Sequence, residues 1–436
     1  MREIITAVDI GTTKIVALAG ERNESGQIRI ITKGTVPTPP KSVKRGVVLN
    51  IETTSNAIKE AISIAEKETD IEFKEVFVGI AGRHIKSIQN SHNIYIKNEE
   101  HLIKQEDVDR LAYEIKNISL ESGQEIIDVI PLDFKVDSET GVTQPVGMHG
   151  KNLTGNYHII IGGKTSAKNI KRCLEIINIK PKTLYLEPIA SAEAVLTEEE
   201  KEAGVALVDI GGGTTDIAVF YEGTLRHTAV IPFGGNIITN DIKEAYKILN
   251  KHAEKLKNEC GTALSEFAEK DSVAVIPGIN GREQKEIDLE GLSKIIQARM
   301  EEIIEIINFE LINSGYRDKL AAGIALTGGG SLLENLPQLM KYKTGLDVKI
   351  SKPSDNISSG GARVNSPKLS TAVGLIMLGF KNAGTFDFTL KKDKKKKNKQ
   401  KANTTNGIKS FFGNVGGIVK QKTIEFFNEE DTEFES

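Results

Sequence analysis

Apolar residues recur along this chain with two periods, and the places where one period gives way to the other outline its plan. Residues 4–8, Ile-Ile-Thr-Ala-Val, form the short apolar run of a buried strand. The turn Asp9-Ile10-Gly11-Thr12-Thr13-Lys14 separates it from a second strand at 15–19, and a turn at Gly26 leads to a third at 28–32. Some two hundred residues later the plan returns: a strand at 205–208, the turn Asp209-Ile210-Gly211-Gly212-Gly213-Thr214-Thr215-Asp216, a strand at 217–221, a Glu222-Gly223 turn and a strand at 225–231. A repeated strand–hairpin–strand unit predicts two lobes of related fold facing each other across a cleft.

Helical and strand patterns alternate between these units. Residues 55–66 put Ala57, Ile58, Ala61, Ile62 and Ala65 on one helical face, and 76–80 read as a buried strand. Residues 84–163 break the rhythm, with strand-like segments at 85–88 and 94–96, a helix near 104–118 and a strand around 126–136. They read as a compact inserted subdomain. Residues 240–260 and 289–313 each predict a helix, and a strand at 324–326 ends in Thr327-Gly328-Gly329-Gly330-Ser331.

Composition narrows the picture. A chain of 436 residues, 39% hydrophobic and 27% charged, suits a soluble protein of two or three domains. No apolar run approaches the roughly 18–20 residues that span a bilayer, and Met1-Arg2-Glu3 leads straight into a strand rather than a signal peptide. Two distant cysteines, Cys173 and Cys260, lack metal-ligand spacing; one disulfide stays open, but free thiols in a reducing cytosol are favoured. The expected compartment is the cytoplasm.

The net charge of −3 hides an asymmetry: residues 391–436 hold eleven Lys and seven Asp or Glu, a net of +4, leaving −7 for the body. Nothing in that body suggests nucleic-acid binding. Eight lysines fall within 391–401, a solvated tether rather than packed structure.

The glycine turns carry the chemistry. A tight turn needs a residue free to adopt positive φ, and without side chains its backbone N–H groups can approach phosphate oxygens. Gly11, Gly211, Gly212 and Gly213 supply this; Thr12, Thr13, Thr214, Thr215 and Lys14 add donors around the same charge. Asp9 and Asp209 close their strands toward the cleft and suit Mg²⁺ held through water, since magnesium keeps most of its waters. Gly328, Gly329, Gly330 and Ser331 offer a third loop against which an adenine ring could lie.

These three motifs, in this order, resemble those of the actin-like ATPase superfamily. The resemblance implies a duplicated, ribonuclease H-like two-lobed α/β fold binding ATP and Mg²⁺. It makes Glu187-Pro188-Ile189-Ala190-Ser191-Ala192 the first connector between lobes, with Glu187 orienting the attacking water, and Ala372-Val373-Gly374 the second. Asp209 is a second, tentative catalytic candidate. Glu254 and Lys257 match a ribose- and adenine-contacting pair, the favoured reading over a solvent-facing i,i+3 ion pair of the kind common on helices.

Longer phrases resemble the FtsA family of bacterial cell-division proteins: 204–220 (GVALVDIGGGTTDIAVF), 225–235 (LRHTAVIPFGG), 239–242, 78–85 (VGIAGRHI), 128–134 (DVIPLDF), 145–148 and 326–330. They are far more specific than a glycine loop, and the resemblance runs over about residues 3–385. It implies subdomain 1A at 1–83, 164–198 and 360–385; an inserted subdomain 1C at 84–163; 2A at 199–230 and 318–359; and 2B at 231–317. It further implies self-polymerisation through 1C and a peripheral place on the cytoplasmic face of the cell membrane at the division septum. The C-terminal peptide of the tubulin-like FtsZ would bind on 2B, with Arg299 pairing an acidic peptide residue unless it is simply a solvated arginine.

The tail argues for the membrane by itself. Beyond a disordered Lys-rich linker at 386–405, Ile408, Phe411, Phe412, Val415, Val419 and Phe426 form a one-sided stripe within 406–427, flanked by Lys409, Lys420 and Lys422. Such a cationic amphipathic helix suits anionic lipid headgroups; docking on the body or on a partner is the alternative. Gly413, Gly416 and Gly417 weaken the helix, which suggests folding on contact with lipid, and the acidic end at 428–436 stays off it. An actin-like small-molecule kinase is the competing function, but it has no use for such a tail; a rod-shape filament protein would lack 84–163. At most slow ATP turnover is expected.

Overall fold

Two five-stranded sheets built to one plan form the frame of the computed structural model, which describes residues 3–382 except 24–25, 83, 279–282, 354–356 and 358–361. The linker, amphipathic segment and acidic end expected at 386–436 lie outside the described residues. The first sheet runs in the order Lys180–Leu186, Glu75–Ile80, Ile4–Ile10, Lys14–Arg22, Ile28–Pro37. The second runs Val348–Ile350, Ile324–Thr327, Val205–Ile210, Thr215–Tyr221, Thr224–Ile231. In each, an antiparallel three-stranded meander is extended by two parallel strands. The central strands are apolar without alternation because both faces are covered; all six residues of Val205–Ile210 are buried.

Helix Ile51–Lys67 is longer than predicted, because Asn50 caps it by accepting from the Thr53 N–H. It buries the five predicted face residues. Gly34 lets it press on the sheet: a Cβ there would overlap the Ala61 carbonyl.

Two helices cross between the lobes, Glu187–Val195 and Ser370–Asn382. Their closest approach is at Gly374, where a Cβ would overlap the carbonyl of Ala190. One hydrophobic core spans both lobes around this crossing, joining Ala7 and Leu18 to Leu207, Ala218 and Ile376.

Residues 86–163 include a four-stranded sheet, Lys86–Tyr95, Asn152–Gly163, Gln124–Val136, Glu139–Val142, with helix Gln105–Glu114 on one face and a core of its own around Leu111, Leu153, Tyr157 and Ile159. Two expectations need correction. The segments at 85–88 and 94–96 belong to one strand; its polar middle, Gln89 to Asn93, reads as a gap only because this edge strand faces solvent. The helix expected at 240–260 is two, Gly235–Tyr246 and Asn250–Cys260, broken where Lys247 turns left-handed (φ 49°). Helix Leu289–Asn313 has the predicted bounds, capped by Asp288.

Candidate functional site

The repeated hairpins meet at the floor of a cleft of about 720 Å³. Strand register fixes their shape. Ile10 pairs with Ile15 and Ile210 with Thr215, so the loops between them are the glycine turns themselves. The two turns touch: a Cβ on Gly213 would stand 2.6 Å from Thr12 Oγ1, and one on Gly212 would collide with the Thr13 side chain. Only bare backbone allows this approach, and none of Gly11, Gly211, Gly212 and Gly213 takes the positive φ expected of it, so the turns need the missing Cβ rather than left-handed backbone.

Lining the cleft are Asp9, Gly11, Thr12, Thr13, Lys14, Glu187, Asp209, Gly211, Gly212, Gly213, Thr214, Glu254, Lys257, Gly328, Gly329 and Gly330. Two expected members do not. Thr215 is fully buried and its hydroxyl donates to the Phe233 carbonyl at 2.9 Å; it sits on the strand face opposite Asp216. Ser331 donates to the Gly328 carbonyl at 2.7 Å and so braces the third loop.

Four carboxylates converge here. Register sets Asp216 directly across from Asp209, like charges that repel at this spacing. Sequence reasoning quoted Asp216 without giving it a role; only the strand pairing reveals one. Its Oδ1 is buried without a hydrogen-bond partner among the described residues, while Oδ2 accepts from Thr214. Glu187 opens the first connector helix and fits against Gly79, where a Cβ would stand 2.8 Å from its Cγ.

Burial pushes all four carboxyls up, Asp9 to about 6 and Glu187 and Asp216 well above the usual range. Each of Asp9, Glu187 and Asp216 is pushed further by neighbouring carboxylates. Lys14 opposes this for Asp9 and Asp209, although burial lowers its own pKa. Its ammonium donates to the Lys368 carbonyl, linking the first hairpin to the chain just before the second connector.

A divalent cation fits this surplus of buried negative charge, with Asp9, Asp209 and the unpartnered Asp216 oxygen as holders. No group of three or more His, Cys, Asp or Glu among the described residues forms a direct ligand cluster.

The Glu254–Lys257 pair is no solvent-facing ion pair. Lys257 is buried and donates to Glu254 at 2.7 Å, Thr239 Oγ1 at 2.7 Å and the Gly235 carbonyl at 3.0 Å. Burial lowers Lys257 against the pull of Glu254; burial raises Glu254, but Lys257 and Thr239 outweigh it and hold that carboxyl low. Asn236, Lys368 and Thr371 line the cleft without having been anticipated; the hinge phrase began one residue beyond Thr371.

Arg299 stands elsewhere, beside a cavity of about 60 Å³ lined by Phe233, Ile237, Glu302, Ile303 and Ile306. It is not the free cation the sequence suggested: it binds Asp241 at 2.5 Å and pairs with Glu302. No helix among the described residues is long and apolar enough to cross a membrane.

Duplicated sheets, a pair of crossing connectors and facing glycine hairpins define the actin-like ATPase fold. The same architecture occurs in the PilM-PilN type IV pilus biogenesis complex (TM-score 0.63, 16% identity, 86% of this chain and 98% of that one). It also occurs in MreB5 of Spiroplasma citri (TM-score 0.53, 14% identity, 88% and 99%). Within that class the chain belongs to the FtsA family of cell division proteins. It is 37% identical to the cell division protein FtsA of Neisseria meningitidis over 87% of this chain and 91% of that protein. It is likewise 37% identical to that of Pseudomonas aeruginosa over 86% and 89%, and 34% identical to that of Escherichia coli over 87% and 90%. The family profile for cell division protein FtsA matches residues 206–374, and that for the SHS2 domain inserted in FtsA matches 82–161.

Proposed function

We propose that this cell-division protein binds ATP with Mg²⁺ in the cleft, polymerises through the inserted subdomain and tethers FtsZ filaments to the cytoplasmic face of the membrane at the septum. The carrying observation is the cleft: facing glycine hairpins, a third glycine loop, one buried lysine and one half-buried, and a surplus of carboxylate. Phosphates would lie on the turn N–H groups beside Lys14, and the base toward Lys257 and the third loop. Magnesium would supply charge neutralisation, held through water by Asp9 and Asp209. Glu187, at the head of a helix joining the lobes, would orient water and support slow turnover at most. Asp209 stays a tentative second catalytic group.

The peptide of FtsZ would dock beside helix Leu289–Asn313, an acidic residue exchanging with Asp241 for Arg299. Segment 406–427, through Ile408, Phe411, Phe412, Val415, Val419 and Phe426, would insert into anionic lipid. Co-sedimentation with anionic vesicles tests the tether, and a fluorescent ATP analogue tests the cleft. The full chain should pellet with vesicles and bind the analogue; deletion of 406–436 should abolish pelleting and leave binding intact. Unchanged pelleting would remove the anchor, and a full chain that binds no analogue would remove the nucleotide reading.

A further inference from the structure

The Asp209 carboxylate is held from an unexpected direction. Ser191, in the middle of the first connector helix, donates to Asp209 Oδ2 at 2.7 Å. Ser191 Oγ also lies 2.9 Å from Thr371 Oγ1 at the start of the second connector, and Thr371 Oγ1 is 3.4 Å from the same Asp209 oxygen. Ser191 is fully buried. A carboxylate only accepts, so Ser191 donates to Asp209 Oδ2, and the single Thr371 proton is shared between that oxygen and Ser191 Oγ. The other carboxylate oxygen is confined too: it lies so close to Gly328 that a Cβ there would collide with it.

The contact of Ala190 with Gly374 lies one residue from Ser191 and one turn from Thr371. The hydroxyl chain therefore sits at the place where the two connectors cross.

We infer that Ser191 and Thr371 are positioning residues that aim Asp209 at the nucleotide's cation and tie occupancy of the cleft to the packing of the two connector helices. This rests on the nucleotide reading of the cleft and names its regulation. Ser191 lies behind the cleft wall and Thr371 at its edge; both act through Asp209. Hydroxyl chains of this kind polarise one another and hold a geometry that single bonds would not.

The test uses the full chain and a fluorescent ATP analogue, titrated with Mg²⁺ and repeated in EDTA. Ser191→Ala should raise the Mg²⁺ concentration for half-maximal binding about tenfold, the size of a lost hydrogen bond to a charged group. Thr371→Val, of nearly the same shape, should raise it several-fold, while Thr371→Ser should stay within about twofold of wild type because the hydroxyl is kept. Affinity in EDTA should be the same in all four proteins. In the nucleotide-free state, amide hydrogen exchange over 187–195 and 370–382 should quicken in Ser191→Ala and Thr371→Val and not in Thr371→Ser.

Wild-type titrations in Ser191→Ala and Thr371→Val would overturn the inference while leaving nucleotide binding standing. So would loss in Thr371→Ser with a wild-type titration in Thr371→Val, since the methyl rather than the hydroxyl would then matter. A wild-type chain that binds no analogue would remove the cleft reading and this inference with it.

Discussion

Replacing Asp9 by Asn should stabilise the nucleotide-free protein and weaken its Mg²⁺-dependent binding of ATP. Asp9 is almost fully buried, and burial raises its pKa from 3.8 to about 6, with Lys14 opposing and Asp209 adding to the rise. The folded protein thus holds the Asp9 proton more tightly than the unfolded chain. Ionising it costs stability; that cost is fully present above pH 6 and fades as the pH falls toward 3.8. The interval corresponds to about 3 kcal/mol at 1.4 kcal/mol per pH unit. The attraction of Lys14 is already contained in that interval, so asparagine, which mimics the protonated acid, should recover most of it, about 2–3 kcal/mol. Thermal melts without nucleotide at pH 8 should show Asp9→Asn higher by about 2–4 °C. By pH 5 roughly half of the advantage should remain. A lower melting temperature for Asp9→Asn at pH 8, or an advantage that grows on acidification, would refute the reasoning.

Other substitutions probe separate contacts. Gly374→Val places a side chain against the Ala190 carbonyl; it should cost about 3 kcal/mol or more by overpacking against backbone, read as lost solubility or a lowered melt. Lys257→Met leaves half-buried Glu254 without its ammonium, so a loss of about 1–3 kcal/mol is expected after solvent screening, together with weaker binding of the ATP analogue. Arg45→Ala removes a guanidinium that lies 5.4 Å from the Phe233 ring, a contact that reaches from one lobe to the other. It should cost about 0.5–1 kcal/mol and speed release of the analogue in stopped-flow chase experiments.

The parts of this molecule legible in its sequence are those governed by local rules. Strand runs flanked by glycine turns show the repeat, because strand period and the missing Cβ that lets the turns touch are both written in residue type. Helix Leu289–Asn313 is readable to its ends because Asp288 caps a long apolar periodicity. What stays hidden depends on partners distant in sequence. Thr215 and Thr214 look alike as neighbours; strand register turns one to the cleft and the other to the Phe233 carbonyl. Lys368 and Thr371 lie more than 150 residues from Asp209, and no spacing rule connects them to it. The break at Lys247 needs a left-handed lysine, which residue type alone does not announce.

The crossing of the connectors explains why nucleotide would act on this protein as a lock. Gly374 and Ala190 are in contact with no room for a Cβ, so the helices can neither close further nor slide across a side chain without loss of packing. The facing hairpins already touch through Thr12 and Thr13, so phosphates seated on both would bridge the two lobes directly. Turnover is a poorer use of the same residues. Glu187 must be ionised to take a proton from water, yet burial and three nearby carboxylates favour its protonated form. On the proposed reading, the charge surplus that would call for a cation would also slow the chemistry and leave the lobe angle as the readout of an occupied cleft.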